Sequence, residues 1–192
     1  MTSSASGERK SRKRTVIVLV LVFMAGIVFT GLFNMGLSAT NEMDFCISCH
    51  SMKVNYEEYK ETVHYKNASG VRATCSDCHV PRDLGPKLVM KVLAYNDVLH
   101  EFLGTIDTPE KYEAQRWAMA NRVWDKMRAS NSRECRSCHD FEQMDLSEQG
   151  RSARKRHGAA MDEGKACIDC HKGLAHEEPD EPEEPEETTS ET

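Results

Sequence analysis

The chain has 192 residues, of which 39% are apolar and 29% are charged, and its formal net charge is −6. This length is enough for one modest domain with extensions, but the low apolar share leaves little material for a large core. The charge is unevenly spread, because residues 177–192 carry nine acidic side chains while residues 41–176 are close to neutral. The composition therefore gives no sign of a nucleic-acid surface.

An uncharged apolar run at residues 15–37 follows a basic segment at residues 1–14. About 20 apolar residues cross a bilayer core as a helix, so the run predicts a transmembrane anchor. The alternative is a cleaved signal peptide, but its apolar region usually has only about 7–15 residues, and Ser38-Ala39 is a weak cleavage signal. The positive-inside rule predicts a cytoplasmic N-terminus and a main domain, residues 41–176, outside the inner membrane.

All eight cysteines fall in four Cys-x-x-Cys-His motifs, which is the pattern of c-type haem attachment. In this pattern two thiols form thioethers to a porphyrin and the histidine ligates its iron. Disulfides and zinc are the alternatives, but disulfides do not require a histidine after every second cysteine, and four copies that use every cysteine are unusual for zinc. The motifs are Cys46–Cys49–His50, Cys75–Cys78–His79, Cys135–Cys138–His139 and Cys167–Cys170–His171.

Four covalent haems would supply the core that the sequence lacks, so we expect a mainly α domain of short helices and loops with little sheet. The motifs form two pairs, each enclosing one more histidine, which predicts an internally duplicated two-haem unit. Between the pairs we expect one helix from Pro86 to Phe102 and another to Met127, begun by a capping box of Asp107 and Glu110. The apolar stripe of the second helix, which is expected to pack against haem, comprises Tyr112, Ala120, Val123, Trp124 and Met127.

The acidic, proline-containing tail at residues 177–192 cannot bury apolar surface, and we expect it to be disordered.

Distal iron ligands are expected among the histidines outside the motifs, because neutral imidazole is a good axial donor. Their number alone suggests four bis-histidine haems, with Met52 in the segment CISCHSM left unused. These histidines are His64, His100, His157 and His176.

The sequence resembles the NapC/NirT membrane-anchored tetrahaem cytochromes. The likeness lies in the anchor and in CISCHSM, TCSDCHVP, GTIDTPEKYE, NSRECRSCHDFEQMD and DEGKACIDCHKGLAH, of which the last three resemble the NapC branch most. The resemblance implies that Met52, and not His50, ligates haem 1, whose other face stays open beside a quinol. It further implies His79 with His157 on haem 2, His139 with His176 on haem 3, and His171 with His64 on haem 4.

Two positions qualify that ligand set. Lys91 is the alternative to His157 on haem 2, because some relatives use a lysine there. Arg82 occupies a position where many relatives have a histidine, and it is a poor haem ligand. His100 has no ligand role in this scheme.

The resemblance implies a quinol dehydrogenase that passes electrons from menaquinol or ubiquinol through the haems to a periplasmic reductase. The expected acceptor is the nitrate reductase complex, reached through its cytochrome subunit. Asp97 is the candidate proton acceptor, and Lys91 is the candidate hydrogen-bond donor to the quinol. The main alternative is an anchored electron carrier without its own quinol site; a terminal reductase and a structural anchor for a partner enzyme are further alternatives.

Overall fold

The structure is a computed structural model that describes residues 4–182, with side chains described from Lys10 onward. The described chain separates into two compact units, which meet in sequence between Glu42 and Met43. No strand occurs in residues 4–182, so the predicted mainly α fold is confirmed.

The first unit is one long helix, α1, which spans Ser4–Ala39. Within its segment Lys10–Ala39, an 18-residue stretch has a mean hydropathy of 2.9, and none of that stretch is buried inside the protein. By length and composition this segment is able to cross a membrane. The helix extends beyond the predicted apolar run because the preceding lysines and arginines are also good helix formers.

The second unit contains the four motifs on short helices joined by loops. Its α-helices are α2 (Met43–Cys46), α3 (Ser51–Lys60), α4 (Cys75–His79), α5 (Leu84–Leu93), α6 (Tyr95–Phe102), α7 (Pro109–Ala129), α8 (Arg133–Arg136) and α9 (Arg151–Asp162). Single 3₁₀ turns lie at Phe141–Gln143, Leu146–Glu148 and Cys167–Asp169.

Two details of the predicted helices are wrong. The single helix expected at Pro86–Phe102 is instead α5 and α6, which are separated at Ala94. There the carbonyl of Ala94 accepts a bond from Asp97 N–H, a tighter spacing than an α-helix has. The cap of α7 is Thr108, whose hydroxyl accepts a hydrogen bond from Lys111 N–H, and not Asp107.

The apolar core of the second unit is small and centres on α7. Trp124 is buried against Ala166 and Ile168, next to the fourth motif. The partly buried side chains packed around this cluster are Trp117, Ala120 and Met127. The predicted stripe of α7 thus packs against a cysteine-motif segment, and a core of this size stabilises the fold only modestly.

A buried ion pair joins α3, α7 and the end of the described chain. Arg116 is 8% exposed, and its guanidinium lies 2.5 Å from a carboxylate oxygen of Glu58. Arg116 also donates to the carbonyl of Glu177, while the N–H of Glu177 donates to Glu58. The tail expected to be disordered from residue 177 is therefore held at Glu177; residues 183–192 lie outside the described residues.

We expect Arg116→Ala to destabilise the mature protein by about 3–5 kcal/mol, because it leaves the Glu58 carboxylate buried without its partner. Denaturant unfolding of the purified protein, followed by circular dichroism, measures this change. Arg122→Ala, an exposed arginine on the same helix, is the matched control and should stay within about 0.5 kcal/mol. Equal unfolding curves for the two variants would show that the ion pair contributes nothing.

Candidate haem-binding centre

The eight cysteines all lie within the described residues, and all are free thiols. In the same part of the chain, no three histidine, cysteine or acidic side chains converge as a metal ion requires. A structural zinc site needs four such ligands around one point. The disulfide and zinc interpretations are therefore not supported by the arrangement of these side chains.

The four motifs adjoin one another in the order of the sequence. A hydrogen bond with Cys75 lowers the pKa of Cys46 to about 7, so the first and second motifs are in contact. Burial, and then the neighbouring Cys135 thiol, raise the pKa of Cys78 to about 11. Burial, and then the Cys167 thiol, raise the pKa of Cys135. A continuous row of attachment cysteines results, from the first motif to the fourth.

The second motif brings its histidine against the end of the chain. His79 and His176 lie with ring centroids 6.2 Å apart. Burial, followed by the charge of His176, lowers the pKa of His79 to about 4, which keeps the imidazole neutral as iron ligation requires. His176 Nδ1 is 3.2 Å from the carbonyl of Asn55, and this bond leaves Nε2 free.

The fourth motif is arranged in the same way, with a partner from α9. His157 and His171 have ring centroids 5.8 Å apart. The Nδ1 of His157 is 2.6 Å from the side-chain oxygen of Gln149. This hydrogen bond fixes the ring orientation and leaves Nε2 as the available donor.

The third motif faces the loop after α3. His64 and His139 have ring centroids 6.3 Å apart and nearly perpendicular planes. The Nδ1 of His64 is buried without a hydrogen-bond partner in the described part of the chain. An unpaired buried nitrogen costs about 1–3 kcal/mol of folding free energy, and iron ligation through this nitrogen would offset that cost.

These three spacings fit one metal ion between each pair of rings. Two imidazoles on opposite sides of a metal, at about 2 Å per bond, place their ring centroids about 6 Å apart. The facing rings differ from the pairs that the resemblance implied: His64 faces His139 and not His171, His157 faces His171 and not His79, and His176 faces His79 and not His139. Sequence order could not predict this, because two of the three partners come from the other motif pair.

The first motif has a different environment. Met52 lies in the first turn of α3, and the start of this helix is held by Glu101 of α6. One Glu101 oxygen accepts from His50 N–H at 2.9 Å, and the other accepts from the hydroxyl of Ser51 at 2.7 Å. Ser51 is only 4% exposed, so this carboxylate clamps the CISCHSM segment from inside. Nothing in the sequence pattern pointed to Glu101.

The candidate quinol residues lie on α5 and α6, near this first motif. Burial lowers the pKa of Lys91, while the charge of Cys46 in the first motif opposes this shift. Asp97 is exposed and precedes Glu101 by one helical turn, so the two carboxylates share a face of α6. His100 directs Nδ1 to the hydroxyl of Thr105, at 2.7 Å, and not to Asp97.

Arg82 lies between the second and third motifs. Its guanidinium is 3.6 Å from an Asp77 oxygen and 3.7 Å from the sulfur of Cys138. The position at which many relatives carry a histidine is thus filled by a charged group that bridges two neighbouring motifs.

A family profile described as the N-terminal region of the NapC/NirT cytochrome c family matches residues 8–181, nearly the whole chain. The chain belongs to the NapC/NirT cytochrome c family. Its motifs are therefore sites of c-type haem, which the paired imidazoles fit. Members of the NapC/NirT family are membrane-anchored cytochromes that carry electrons from quinol to periplasmic reductases.

Several NapC/NirT relatives align over most of their length. A tetrahaem cytochrome c-type protein of Allochromatium vinosum is 60% identical, over 88% of this chain and 92% of its own. The denitrification system component NirT of Stutzerimonas stutzeri is 54% identical, over 85% of this chain and 82% of its own length. The cytochrome c-type protein NapC of Escherichia coli K12 is 49% identical, over 88% and 86%.

A solved structure shares the fold of this NapC/NirT chain. It is a chain in the crystal structure of the cytochrome c nitrite reductase NrfHA complex bound to the inhibitor HQNO. The TM-score is 0.50 at 24% identity, and the match covers 82% of this chain and 88% of the other.

We expect His64→Ala to convert one low-spin haem to high-spin. From the observed ring pairs, this should be the haem at the third motif. The thioethers are untouched, so the haem content should stay unchanged. Electron paramagnetic resonance counts the spin states, and a cryo-electron microscopy map of the mature wild-type protein identifies the ring opposite His139. His100→Ala is the control and should leave all spectra unchanged. A map with His64 opposite His171 would contradict the expected pairing.

Proposed function

We propose that this chain binds four c-type haems, one at each motif, and that it oxidises membrane quinol at the first of them. Electrons then pass along the remaining haems to a soluble reductase in the periplasm. The observation that carries this proposal is the packing of the four motifs in chain order. Helix α2 contacts α4, α4 contacts α8, and the N–H of Ile168 in the fourth motif donates to the hydroxyl of Ser132, directly before α8. In the proposed topology the N-terminus is cytoplasmic and residues 41–176 are periplasmic, in agreement with the basic residues near the N-terminal end of α1.

The proposed ligand set follows the facing rings. His79 and His176 hold haem 2, His139 and His64 hold haem 3, and His171 and His157 hold haem 4. Haem 1 takes Met52, as the resemblance implies. Lys91 is then not needed on haem 2, because His176 already faces His79.

Bound haem supplies one-electron chemistry at each motif. The side chains around the first motif supply what quinol oxidation further needs, since the reaction releases two electrons and two protons. Asp97 carries an exposed carboxylate, which is the proposed acceptor of a proton from a quinol hydroxyl. Lys91 is the proposed donor of a hydrogen bond to the other quinol oxygen. Glu101 holds the backbone that carries Met52.

For the acceptor we propose a periplasmic nitrate reductase complex, entered through its cytochrome subunit. This follows from the similarity to NapC. The similarity to NirT, a denitrification system component, makes a denitrification reductase the second candidate. The row of motifs ends at His171 and His157, so the proposed exit is beside α9.

A plain anchored carrier is the rival function. It would use the same row of haems but would have no proton acceptor and no quinol beside the first motif. The two functions differ at Asp97, which a carrier does not need.

We expect Asp97→Asn to slow reduction of the haems by a soluble quinol about 10²–10⁴-fold, because the variant keeps the size of the side chain but loses the base. Stopped-flow absorbance measures the rate. Asp162→Asn on α9 is the matched control and should leave the rate unchanged. Reduction by dithionite should be equal in all three proteins. Equal quinol rates would remove Asp97 from the mechanism and favour the carrier.

We expect Glu101→Ala to change the spectrum of haem 1 alone and to leave its iron ligation less uniform. The reason is that two hydrogen bonds to a carboxylate, each worth about 1.5–3 kcal/mol, are lost at the segment that carries Met52. Glu101→Gln keeps one acceptor oxygen and should have a smaller effect. Magnetic circular dichroism and redox titration separate haem 1 from the low-spin haems. Glu61→Ala is the control. If all four haem potentials moved together, Glu101 would be only a general structural residue.

A further inference from the structure

Helices α5 and α6 carry an apolar face that is turned away from the first motif. Its side chains recur at helical spacing on each helix, and Val92 and Phe102 are 72% and 86% exposed. We name this set the outer face; it consists of Val89, Val92, Leu93, Tyr95, Val98 and Phe102. Contiguous apolar surface of this kind is rare on soluble proteins and marks a binding surface.

The opposite face of the same helices is polar and touches the first motif. Glu101 of α6 holds His50 and Ser51, and α5 packs on α6. The two helices therefore have a fixed orientation within the second unit. Glu101 points to the motif, whereas the side chains of the outer face are exposed.

The occupant of the outer face is indicated by the path of the chain. The membrane-spanning helix α1 ends at Ala39, and α2, which carries Cys46, begins at Met43. Four peptide steps cover at most about 15 Å, so the first motif is tethered close to the end of the anchor. Helix α6 is held at the first motif by the hydrogen bonds that Glu101 accepts from His50 and Ser51, and α5 packs on α6.

The composition of the two helices suits the boundary between lipid headgroups and acyl chains. Amphipathic helices at this boundary combine an apolar face with basic side chains that reach the headgroups. Lys87 on α5 provides a basic group, and Tyr95 is an aromatic residue of the kind enriched at membrane interfaces.

We propose that α5 and α6 form a second membrane contact, separate from α1, in which the outer face lies in the lipid surface. The proposal rests on anchoring by α1 and does not depend on quinol oxidation or on the identity of the acceptor. For the proposed function, this contact means that a lipid-soluble substrate reaches the polar face of the same helices directly from the lipid, without crossing water.

Photolabelling tests this contact on the mature full-length protein. The protein is placed at one chain per nanodisc, in phosphatidylcholine and phosphatidylglycerol with a diazirine on the acyl chain of a tracer lipid. After illumination and digestion, mass spectrometry counts adducts for each peptide. Side chains that lie about 5–10 Å into the boundary should carry about tenfold more adducts than exposed residues in water. Val63 and Val71, which are 68% and 69% exposed, are the matched references.

The expected result is strong labelling of α1 and of residues 89–102, and background labelling of Val63 and Val71. The double variant Val92→Glu with Phe102→Glu should lose most adducts from α5 and α6 and keep those on α1, with an unchanged haem spectrum. Labelling of α1 alone in the wild type would overturn the proposal. A different result would also overturn the proposal: no lipid adducts on α5 and α6 at one chain per disc, together with cross-links between the α6 helices of two chains at two chains per disc. The occupant of the outer face would then be a second copy of this chain.

Discussion

The facing imidazole rings are the contacts on which the arrangement of the second unit depends. Two of the three pairs join residues far apart in the chain, His64 with His139 and His79 with His176. The unit has few buried apolar side chains, so these pairs and the haems they fit must replace much of an ordinary core. Two pairs connect the first half of the unit to the second, which makes the halves interdependent although each carries two motifs.

The supporting polar contacts have a common role, because they fix the ring or helix that presents a donor. Asn55 and Gln149 orient His176 and His157, and the Arg116–Glu58 ion pair holds the chain directly after His176. Hydrogen bonds of this kind select the tautomer and direction of an imidazole ligand. The cost of burying charge at Arg116 is acceptable only because both partners are hydrogen-bonded.

The first motif is surrounded by different kinds of side chain from the other three. Its neighbouring helices α5 and α6 present Lys91, Asp97 and Glu101 toward or beside it, whereas the other motifs are faced by a second imidazole. A carrier gains nothing from such a polar environment, but a site that handles protons requires it. The apolar outer face of the same two helices extends this asymmetry to the surface.

The sequence by itself determined the cofactor chemistry, the anchor and the mainly α fold, because these depend on local patterns: Cys-x-x-Cys-His spacing, an uncharged run of sufficient length, and helical periodicity. Only the tertiary structure decided which distal histidine ring lies beside which motif histidine, and its three neighbouring pairs differ from those that the resemblance implies. It also revealed Glu101, the cap at Thr108 and the division at Ala94. Spacing along the chain carries no information about contacts between residues such as His79 and His176, which are brought together only by the packing of α3, α4 and the C-terminal segment.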